Sequence, residues 1–466
     1  MRNASIMLTL ALSMLLCACS ECPVRYSEQI INTCIYDYKA NTTDVAFRQF
    51  DAEGNLLADN AFGKDRLDYV PGLVAKAVIE AALYYQHELF AAPWVYSIRD
   101  YANHFAAEVP TTGGSLDDLN AVKLYFALCA LSESGNAFAD SLTAANCRMA
   151  IERARLGLKA HYEQYVIADS HPETAAHGGW WHKKNYINQM WCDGQYMGPA
   201  LLAQIVAGGY GTITGSADED WALIARQFEI AWHYLWDSEA QLLWHAFSAD
   251  GIEQNDITHA ETWVVPGTLH SGTYWGRAEG WYFMALIDVL EQMQLAARTA
   301  TPAYESLRAQ LMELAAGLAK RQDAATGCWY QLLGENGDFS ASTYNNQTVE
   351  PQSNYLESSC SFLFAAAYMK GARLGLFADN EAMRGIGERA YKGALARFWD
   401  GEKLIDCCAS AGLGGKGESA AAGGAKMRDG SRAYYLLGYD VTRITTYTEG
   451  KVLGAAIMAA LEYERL

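Results

Sequence analysis

One carboxyl side chain, Asp193, lies among aromatic residues in the stretch MWCDGQYMGP, at the start of an apolar helical pattern. Aromatic neighbours such as Trp191 remove water from a carboxyl group, which raises its pKa towards the range in which a general acid works. The alternative is structural, because the positive end of a helix also favours a carboxylate. We predict that Asp193 is a catalytic acid with a raised pKa and that Trp191 lines its pocket.

Four further side chains can complete such a pocket. Arg277 and Trp281 are one helical turn apart in YWGRAEGWYFMALIDVLE, so both lie on one face of the predicted helix. The planar fork of an arginine fits a carboxylate, and an indole supplies an apolar wall for a sugar ring. His182 and His245 can face a ligand carboxylate, although a lone histidine more often has a structural role.

Asp117 and Asp118 are adjacent carboxyl residues in GGSLDDLNAVKLYFAL. One of them is expected to be the N-cap of the helix that follows, since an Asp side chain accepts hydrogen bonds from unpaired amides there. The other is a candidate second carboxylate of the active site. The residues by themselves leave the choice between them open.

Helices must position these residues, because apolar side chains recur at three- and four-residue spacing along most of the chain. The pattern predicts eleven helices: Leu73 to His87, Val95 to Ala107, Leu119 to Ser132, Ala144 to Gln164, Met190 to Ala207, Asp218 to Trp236, Arg277 to Leu295, Ala303 to Gln322, Ser358 to Leu374, Glu381 to Phe398 and Val452 to Glu464. They come in consecutive pairs, close to the twelve helices of six hairpins closed into a ring. The pairing predicts an all-α domain, with an open helical solenoid as the alternative.

The composition excludes some classes of partner. With a net charge of −19, the chain lacks the surplus of Lys and Arg that binding to nucleic acid requires. A hydrophobic share of 51% with 12% aromatic residues suits a large core and a cleft for sugar rings. No CxxC or Cys/His spacing among the cysteines indicates a metal site, so we expect none, and we expect several buried free thiols.

The beginning of the chain has the features of an export signal. Arg2 is followed by an apolar stretch from Ile6 to Leu16 that is too short to span a bilayer and ends in LCAC. We predict a lipoprotein signal peptide over residues 1–18 and lipidation of Cys19, with an ordinary secretory signal as the alternative. Residues 19–37 would be a tether, and residues 38–466 one catalytic domain that the lipid alone holds in a bacterial cell envelope.

Six stretches in a fixed order carry a resemblance to a known family: SLDDLN, WHKKNYINQMWCDGQYMGP, YWGRAEGWYFMALIDVLE, GCWYQLL, NYLESSCSFLFAAAYMKGARLGL, and GLGG followed by RDGSRAYY. They resemble the unsaturated rhamnogalacturonyl hydrolases of glycoside hydrolase family 105, relatives of the unsaturated glucuronyl hydrolases of family 88. The resemblance implies an (α/α)6 barrel that acts on oligosaccharides ending in a Δ4,5-unsaturated uronic acid. In that chemistry a carboxyl group protonates C4 while water adds at C5, with no metal or other cofactor.

The resemblance also implies roles for individual residues: Asp193 as the acid and then the base, Asp117 as the second carboxylate with Asp118 as its alternative, and His182, His245, Arg277 and Trp281 in the pocket. Glu279 departs from the family, in which asparagine is common at this position. An extra carboxylate near the uronate would change which sugar is accepted. An inverting glycosidase on the same barrel and a non-catalytic glycan-binding lipoprotein are the competing hypotheses.

Overall fold

The computed structural model describes residues 25–34, 39–40, 43–44, 49–50, 56–58, 67–85, 92–133, 141–251, 263–334, 342–344, 347–349, 354–414, 428–438 and 441–466. Most of them are helical. The α-helices are α1 (Tyr26–Cys34), α2 (Tyr69–Tyr84), α3 (Ala92–Phe105), α4 (Leu116–Asn120), α5 (Lys123–Glu133), α6 (Ser141–Gln164), α7 (Cys192–Met197), α8 (Pro199–Ala207), α9 (Ala217–Leu235), α10 (Gly276–Leu295), α11 (Pro302–Lys320), α12 (Ser358–Arg373), α13 (Asn380–Phe398), α14 (Arg432–Leu437) and α15 (Gly450–Glu464).

The strands in the described part of the chain are short and form antiparallel pairs. They are β1 (Lys39–Ala40), β2 (Thr43–Asp44), β3 (Gln49–Phe50), β4 (Leu56–Ala58), β5 (Gln189–Trp191), β6 (Trp236–Asp237), β7 (Leu242–Leu243), β8 (Ala246–Ser248), β9 (Ser342–Tyr344), β10 (Gln347–Val349), β11 (Cys407–Cys408) and β12 (Arg443–Ile444). Consecutive strands pair with each other, except that β5 pairs with β8, and the β6–β7 pair lies between them in sequence. The β5–β8 pair connects two segments that are far apart in sequence.

The long helices form a closed ring. On the inside α2 packs against α5, α4 against α7, α7 and α8 against α10, α10 against α12, α12 against α15, and α15 returns to α2. A second layer, made by α1, α3, α6, α9, α11 and α13, packs against this ring. The predicted (α/α)6 barrel is confirmed, and the open solenoid is excluded because α15 packs on α2.

The residue pattern explains which helices are inside. Helix α15 is apolar on all sides and almost wholly buried, as a helix surrounded by other helices must be. The outer helix α9 instead buries Trp221, Ile224, Ala225 and Phe228, whose three- and four-residue spacing makes a single apolar stripe. The distribution of apolar residues along each helix therefore determines whether the helix lies in the inner or the outer layer of the barrel.

The twelfth helix of the barrel, α1, lies inside the segment predicted to be a tether. Ile30 and Ile31 of α1 are fully buried. Ser27 donates two hydrogen bonds to the Glu464 carboxylate at the end of α15, from its amide at 2.8 Å and from its hydroxyl at 2.6 Å. Residues 26–34 are thus part of the folded body, whereas the predicted signal peptide and Cys19 lie outside the described residues.

Two predicted helices are divided near the site. The segment predicted as one helix from residue 190 to 207 contains the end of β5, then α7, then α8. Gly198 separates α7 from α8, which begins at Pro199, because proline cannot donate the amide hydrogen bond that a continuous helix requires. Residues 119–132, likewise predicted as one helix, span the end of α4 and most of α5.

The predicted helix cap at Asp117 or Asp118 is wrong. Ser115 is the N-cap of α4, and its hydroxyl accepts a hydrogen bond from the Asp118 amide at 3.4 Å. Serine is as good a cap as aspartate, so both carboxyl side chains remain available for other contacts.

Two general predictions can be compared with the described residues. Eight cysteines there are buried, as expected for thiols in apolar helical surroundings: Cys34, Cys129, Cys147, Cys192, Cys328, Cys360, Cys407 and Cys408. No helix in this part of the chain has both the length and the apolar character needed to cross a bilayer.

Candidate active site

A cavity of about 270 Å³ lies where the inner helices α2, α4, α7 and α10 begin. The residues that line it are mostly polar or aromatic: Asp68, Tyr69, Asp117, Asp118, His182, Lys183, Tyr186, Trp191, Asp193, Met197, Trp275, Arg277, Trp281, Ser410, Ala411, Gly412 and Arg428. All the predicted site residues except His245 and the lipidation site are among them. The positive ends of several helices point towards this space, which favours an anionic ligand.

Asp193 and His245 are brought together by the β5–β8 pair. Trp191 of β5 is opposite Ala246 of β8, and the Cys192 amide donates a hydrogen bond to the His245 carbonyl at 3.0 Å. Asp193 is the second residue of α7, which directly follows β5, so its carboxylate lies beside the imidazole. His245 Nε2 is 3.1 Å from Asp193 Oδ2. His245 does not line the cavity; it is fully buried behind Asp193.

The pKa of Asp193 is lower than the usual aspartate value in the unliganded protein. Burial raises this pKa, but the hydrogen bond from His245 and the charges that His245 and His182 carry when protonated outweigh the effect of burial. The predicted rise is therefore wrong for the free protein. Aromatic neighbours were visible in the sequence, whereas the imidazole beside Asp193 comes from a position 52 residues away.

Asp117, which also lines the cavity, is held by a cation and a histidine. Lys183 Nζ is 2.6 Å from Asp117 Oδ2, and His182 Nε2 is 3.4 Å from Asp117 Oδ1. Burial lowers the pKa of His182, and Asp117 opposes this shift only in part. Asp118 lines the same cavity, with a pKa raised by burial and by the charge of Asp117. The geometry thus distinguishes the two residues: Asp117 makes the ion pair.

Three parallel rings form one wall of the site. The Tyr186 and Trp191 rings are 4.8 Å apart with an angle of 1° between their planes, and the His182 ring lies 5.1 Å from Trp191 at 14°. Trp281 is at a different part of the lining, edge-on to Tyr69 at 6.5 Å. Flat apolar faces of this kind bind the faces of sugar rings.

Close packing fixes the position of the histidine in this wall. Gly194, in the first turn of α7, lies against His182; a Cβ atom at this position would be 3.2 Å from His182 Nδ1. A larger residue here would push the imidazole away from Asp117. The absence of a side chain at Gly194 is thus part of the site's geometry.

Arg277 is a buried cation at the start of α10. One of its nitrogens, Nη1, donates hydrogen bonds to the Cys408 carbonyl at 2.6 Å and the Ser359 hydroxyl at 3.2 Å. The guanidinium also lies over the Trp275 ring at 4.5 Å, and Nη1 is 3.9 Å from the Glu357 carboxylate. These contacts hold the guanidinium in one orientation at the cavity, as recognition of a carboxylate requires.

Glu279, the residue that departs from the family pattern, does not line the cavity. Its side chain is fully buried on another face of α10, and Oε1 accepts a hydrogen bond from the Leu243 amide at 2.7 Å. Burial raises its pKa well above the usual value. The expectation that Glu279 would act near a uronate is therefore wrong, because the helix turns this residue towards β7.

Sequence reasoning missed several residues that line the cavity: Tyr69, Lys183, Tyr186, Trp275 and Arg428. A signal existed for Lys183 and Tyr186, which follow His182 in the quoted stretch WHKKNY. Arg428 likewise begins the quoted stretch RDGSRAYY. Tyr69 begins the first inner helix and had no distinguishing pattern of its own.

The family of the chain follows from a match over most of its length. The model of Glycosyl Hydrolase Family 88 matches residues 52–466. The chain belongs to this family. Protein Atu3128 of Agrobacterium fabrum is 32% identical to it over 209 residues, which are 44% of this chain and 78% of that protein. The family 88 assignment identifies the protein as a glycoside hydrolase.

Solved structures agree with the barrel described above. A family 105 glycoside hydrolase from C. acetobutylicum ATCC 824 is 26% identical, with a TM-score of 0.68 over 95% of this chain and 100% of that one. The unsaturated glucuronyl hydrolase of Bacillus sp. GL1 has a TM-score of 0.51 at 12% identity over 94% of each chain. The second likeness concerns the fold alone. The predicted relationship to families 105 and 88 is confirmed.

Proposed function

We propose that this family 88 protein removes a terminal Δ4,5-unsaturated uronic acid from oligosaccharides of the unsaturated rhamnogalacturonan type, which polysaccharide lyases produce. The observation that carries the proposal is the position of Asp193, whose carboxylate lines the cavity with His245 behind it. The resemblance to the family 105 enzymes supports the choice of substrate. The cavity supplies the recognition groups that such an anionic sugar requires.

Cations among the residues that line the cavity suit the carboxylate of a uronate. Lys183, Arg277 and Arg428 all line it, and the first two are held in place by the contacts described above. An arginine fork binds a carboxylate through two parallel hydrogen bonds, and the adjacent rings offer apolar faces to the sugar. A neutral sugar has no carboxylate to accept such hydrogen bonds, so these cations favour a uronate over a neutral sugar.

Asp193 can act as the acid although its pKa is low in the free protein. A uronate bound beside it brings a second negative charge, and like charges favour the protonated form of a carboxyl group. Substrate binding would therefore be accompanied by uptake of a proton. Calorimetric titration in buffers of different ionisation enthalpy measures this uptake, which should be absent in Asp193→Asn.

The proposed reaction is hydration of the C4=C5 double bond, followed by opening of the sugar ring. Asp193 transfers its proton to C4 while the oxygen of a water molecule forms a bond to C5, and the Asp193 carboxylate takes up a proton from that water. The product is a hemiketal at C5. Its ring opens by cleavage of the bond between C5 and the ring oxygen. The resulting hemiacetal at C1 then releases the neighbouring sugar with a free hydroxyl group.

The test follows the double bond directly. The protein is incubated with an unsaturated galacturonyl-rhamnose disaccharide, and the ultraviolet absorbance of the conjugated acid is recorded. Loss of absorbance with release of rhamnose is expected, and unchanged absorbance across unsaturated disaccharides from pectin, ulvan and glycosaminoglycans would refute the proposal. Asp193→Asn should abolish turnover but retain ligand binding, whereas Asp250→Asn, at a partly exposed carboxylate outside the cavity, should remain active.

A second candidate is an inverting glycosidase, because Asp193 and Asp117 both line the cavity. That mechanism requires two carboxylates on opposite sides of a glycosidic bond with room for a water molecule, and it acts on saturated sugars. Release of a saturated galacturonyl residue by the protein, without any loss of ultraviolet absorbance from the unsaturated disaccharide, would favour this candidate over hydration.

We also propose that the mature protein is anchored in the cell envelope of a bacterium by a lipid on Cys19. The motif LCAC at the end of an apolar stretch supports this proposal. Expression of the full chain in a bacterium with radiolabelled palmitate should label the protein and place it in the membrane fraction. Cys19→Ser should lose the label; a wild-type protein without label would contradict the lipid anchor.

A further inference from the structure

A buried tyrosine, Tyr435, completes a chain of hydrogen bonds behind Asp193. Its hydroxyl oxygen is 2.6 Å from His245 Nδ1, and His245 Nε2 is 3.1 Å from Asp193 Oδ2. Tyr435 and His245 are fully buried, and they come from α14 and from the residue before β8, 190 positions apart. The tyrosine does not line the cavity, so it cannot touch the substrate.

We propose that Tyr435 is a positioning residue that fixes the tautomer of His245 and thereby directs the Asp193 proton towards the substrate. This inference rests on the proposed function. A neutral imidazole carries its hydrogen on one nitrogen and a lone pair on the other. When the tyrosine hydroxyl donates to the lone pair of Nδ1, the hydrogen must be on Nε2, where it is donated to Asp193.

The tautomer decides which Asp193 oxygen can carry the catalytic proton. With hydrogen on His245 Nε2, Asp193 Oδ2 is an acceptor, and the proton of the acid form is confined to Oδ1. In the other tautomer Nε2 presents a lone pair, and Asp193 would donate its proton to the histidine. Such a proton is held in the interior and is lost to the reaction at C4.

The surroundings of Tyr435 make it a hydroxyl donor at all working pH values. Burial first, and then the negative charge of Asp193, raise the pKa of this phenol well above its usual value. The ring is fixed by Trp275, whose centroid is 6.0 Å away at an interplanar angle of 28°. Among the described residues, the titratable groups that face the three members of this hydrogen-bonded chain include His182, Cys192, Cys408, Asp429 and Tyr434.

The test is Tyr435→Phe, with Tyr368→Phe as the matched control. Tyr368 is also fully buried and donates one hydrogen bond, to the Ala315 carbonyl at 2.5 Å, but it lies on α12 outside the cavity lining. Both variants lose one buried hydroxyl, so thermal unfolding should be affected to a similar extent. Only Tyr435→Phe should change the pH dependence of turnover.

The direction of the pH effect follows from the lost hydrogen bond. A donor to Nδ1 stabilises the neutral imidazole, so its removal raises the proton affinity of His245 and moves the shared proton away from Asp193. We expect kcat to fall by about tenfold or more with KM changed by less than about threefold. The alkaline limb of the pH profile of kcat/KM should move to higher pH. A variant with reduced kcat and an unmoved limb would overturn the proposal.

The tautomer can also be measured without substrate. In protein labelled with 15N in its histidine rings, the His245 resonances are those missing from His245→Gln. The wild-type protein should carry hydrogen on Nε2, and Tyr435→Phe should give a mixture of tautomers or the imidazolium. An unchanged Nε2–H tautomer in Tyr435→Phe refutes the role of Tyr435, whereas a wild-type protein inactive on every unsaturated uronide refutes the proposed function instead.

Discussion

Replacing Glu279 with glutamine should make the protein more stable at neutral pH and leave its activity unchanged. The side chain is fully buried, and burial raises its pKa well above the usual glutamate value. Its Oε1 accepts a hydrogen bond from the Leu243 amide at 2.7 Å. Glutamine keeps this acceptor and has the shape of the protonated acid, but it cannot lose a proton.

The sign and size of the effect follow from proton linkage. The folded protein binds the Glu279 proton more tightly than the unfolded chain, so the stabilisation is fully present below the unfolded pKa. It is lost as the pH rises towards the raised folded-state pKa, by about 1.4 kcal/mol for each pH unit. The advantage of Glu279→Gln in free energy of unfolding should therefore grow by roughly 1.4 kcal/mol from about pH 5 to about pH 6, and further above that.

Urea unfolding followed by tryptophan fluorescence at a series of pH values measures this difference. Asp220→Asn is a suitable control, because Asp220 is also fully buried but accepts hydrogen bonds from the Ile213 and Thr214 amides, both at 3.0 Å. The control should lose about 1–3 kcal/mol throughout. A constant difference between Glu279→Gln and wild type at all pH values would refute the reasoning. A changed preference among unsaturated sugars would refute the position assigned to Glu279.

Three further substitutions test the site and the barrel. Gly194→Ala should raise KM about tenfold, because its Cβ would lie 3.2 Å from His182 Nδ1 and displace the ring; steady-state kinetics with unchanged KM would contradict this. Lys183→Met removes the cation 2.6 Å from Asp117, so KM should rise and depend less on salt; a fall in kcat alone would count against a role in binding. Gly317→Ala on α11 places Cβ 1.8 Å from the Gln241 carbonyl oxygen. The free energy of unfolding should therefore fall by about 2 kcal/mol or more. An unchanged midpoint of thermal unfolding would contradict the packing described.

The sequence was sufficient to predict the architecture and much of the cavity lining. Hydrophobic periodicity is a local property, so it located every helix of the two layers except α1 to within a few residues, with α4 and α5 predicted as one helix and α7 and α8 as another. The quoted stretches, with their resemblance to families 105 and 88, identified Asp193, Asp117, His182 and Arg277 as residues of one pocket, and all four line the same cavity.

Only the tertiary structure decided how these groups act on one another. Helix α1 was missed because it precedes the clear periodic pattern, and its partner α15 is at the other end of the chain. His245 and Asp193 meet through the β5–β8 pair, and Tyr435 reaches His245 only because the barrel closes. The pKa of Asp193 depends on these distant neighbours, since charges and hydrogen bonds act through space. For this reason the aromatic residues beside Asp193 in the sequence predicted the wrong direction for its pKa.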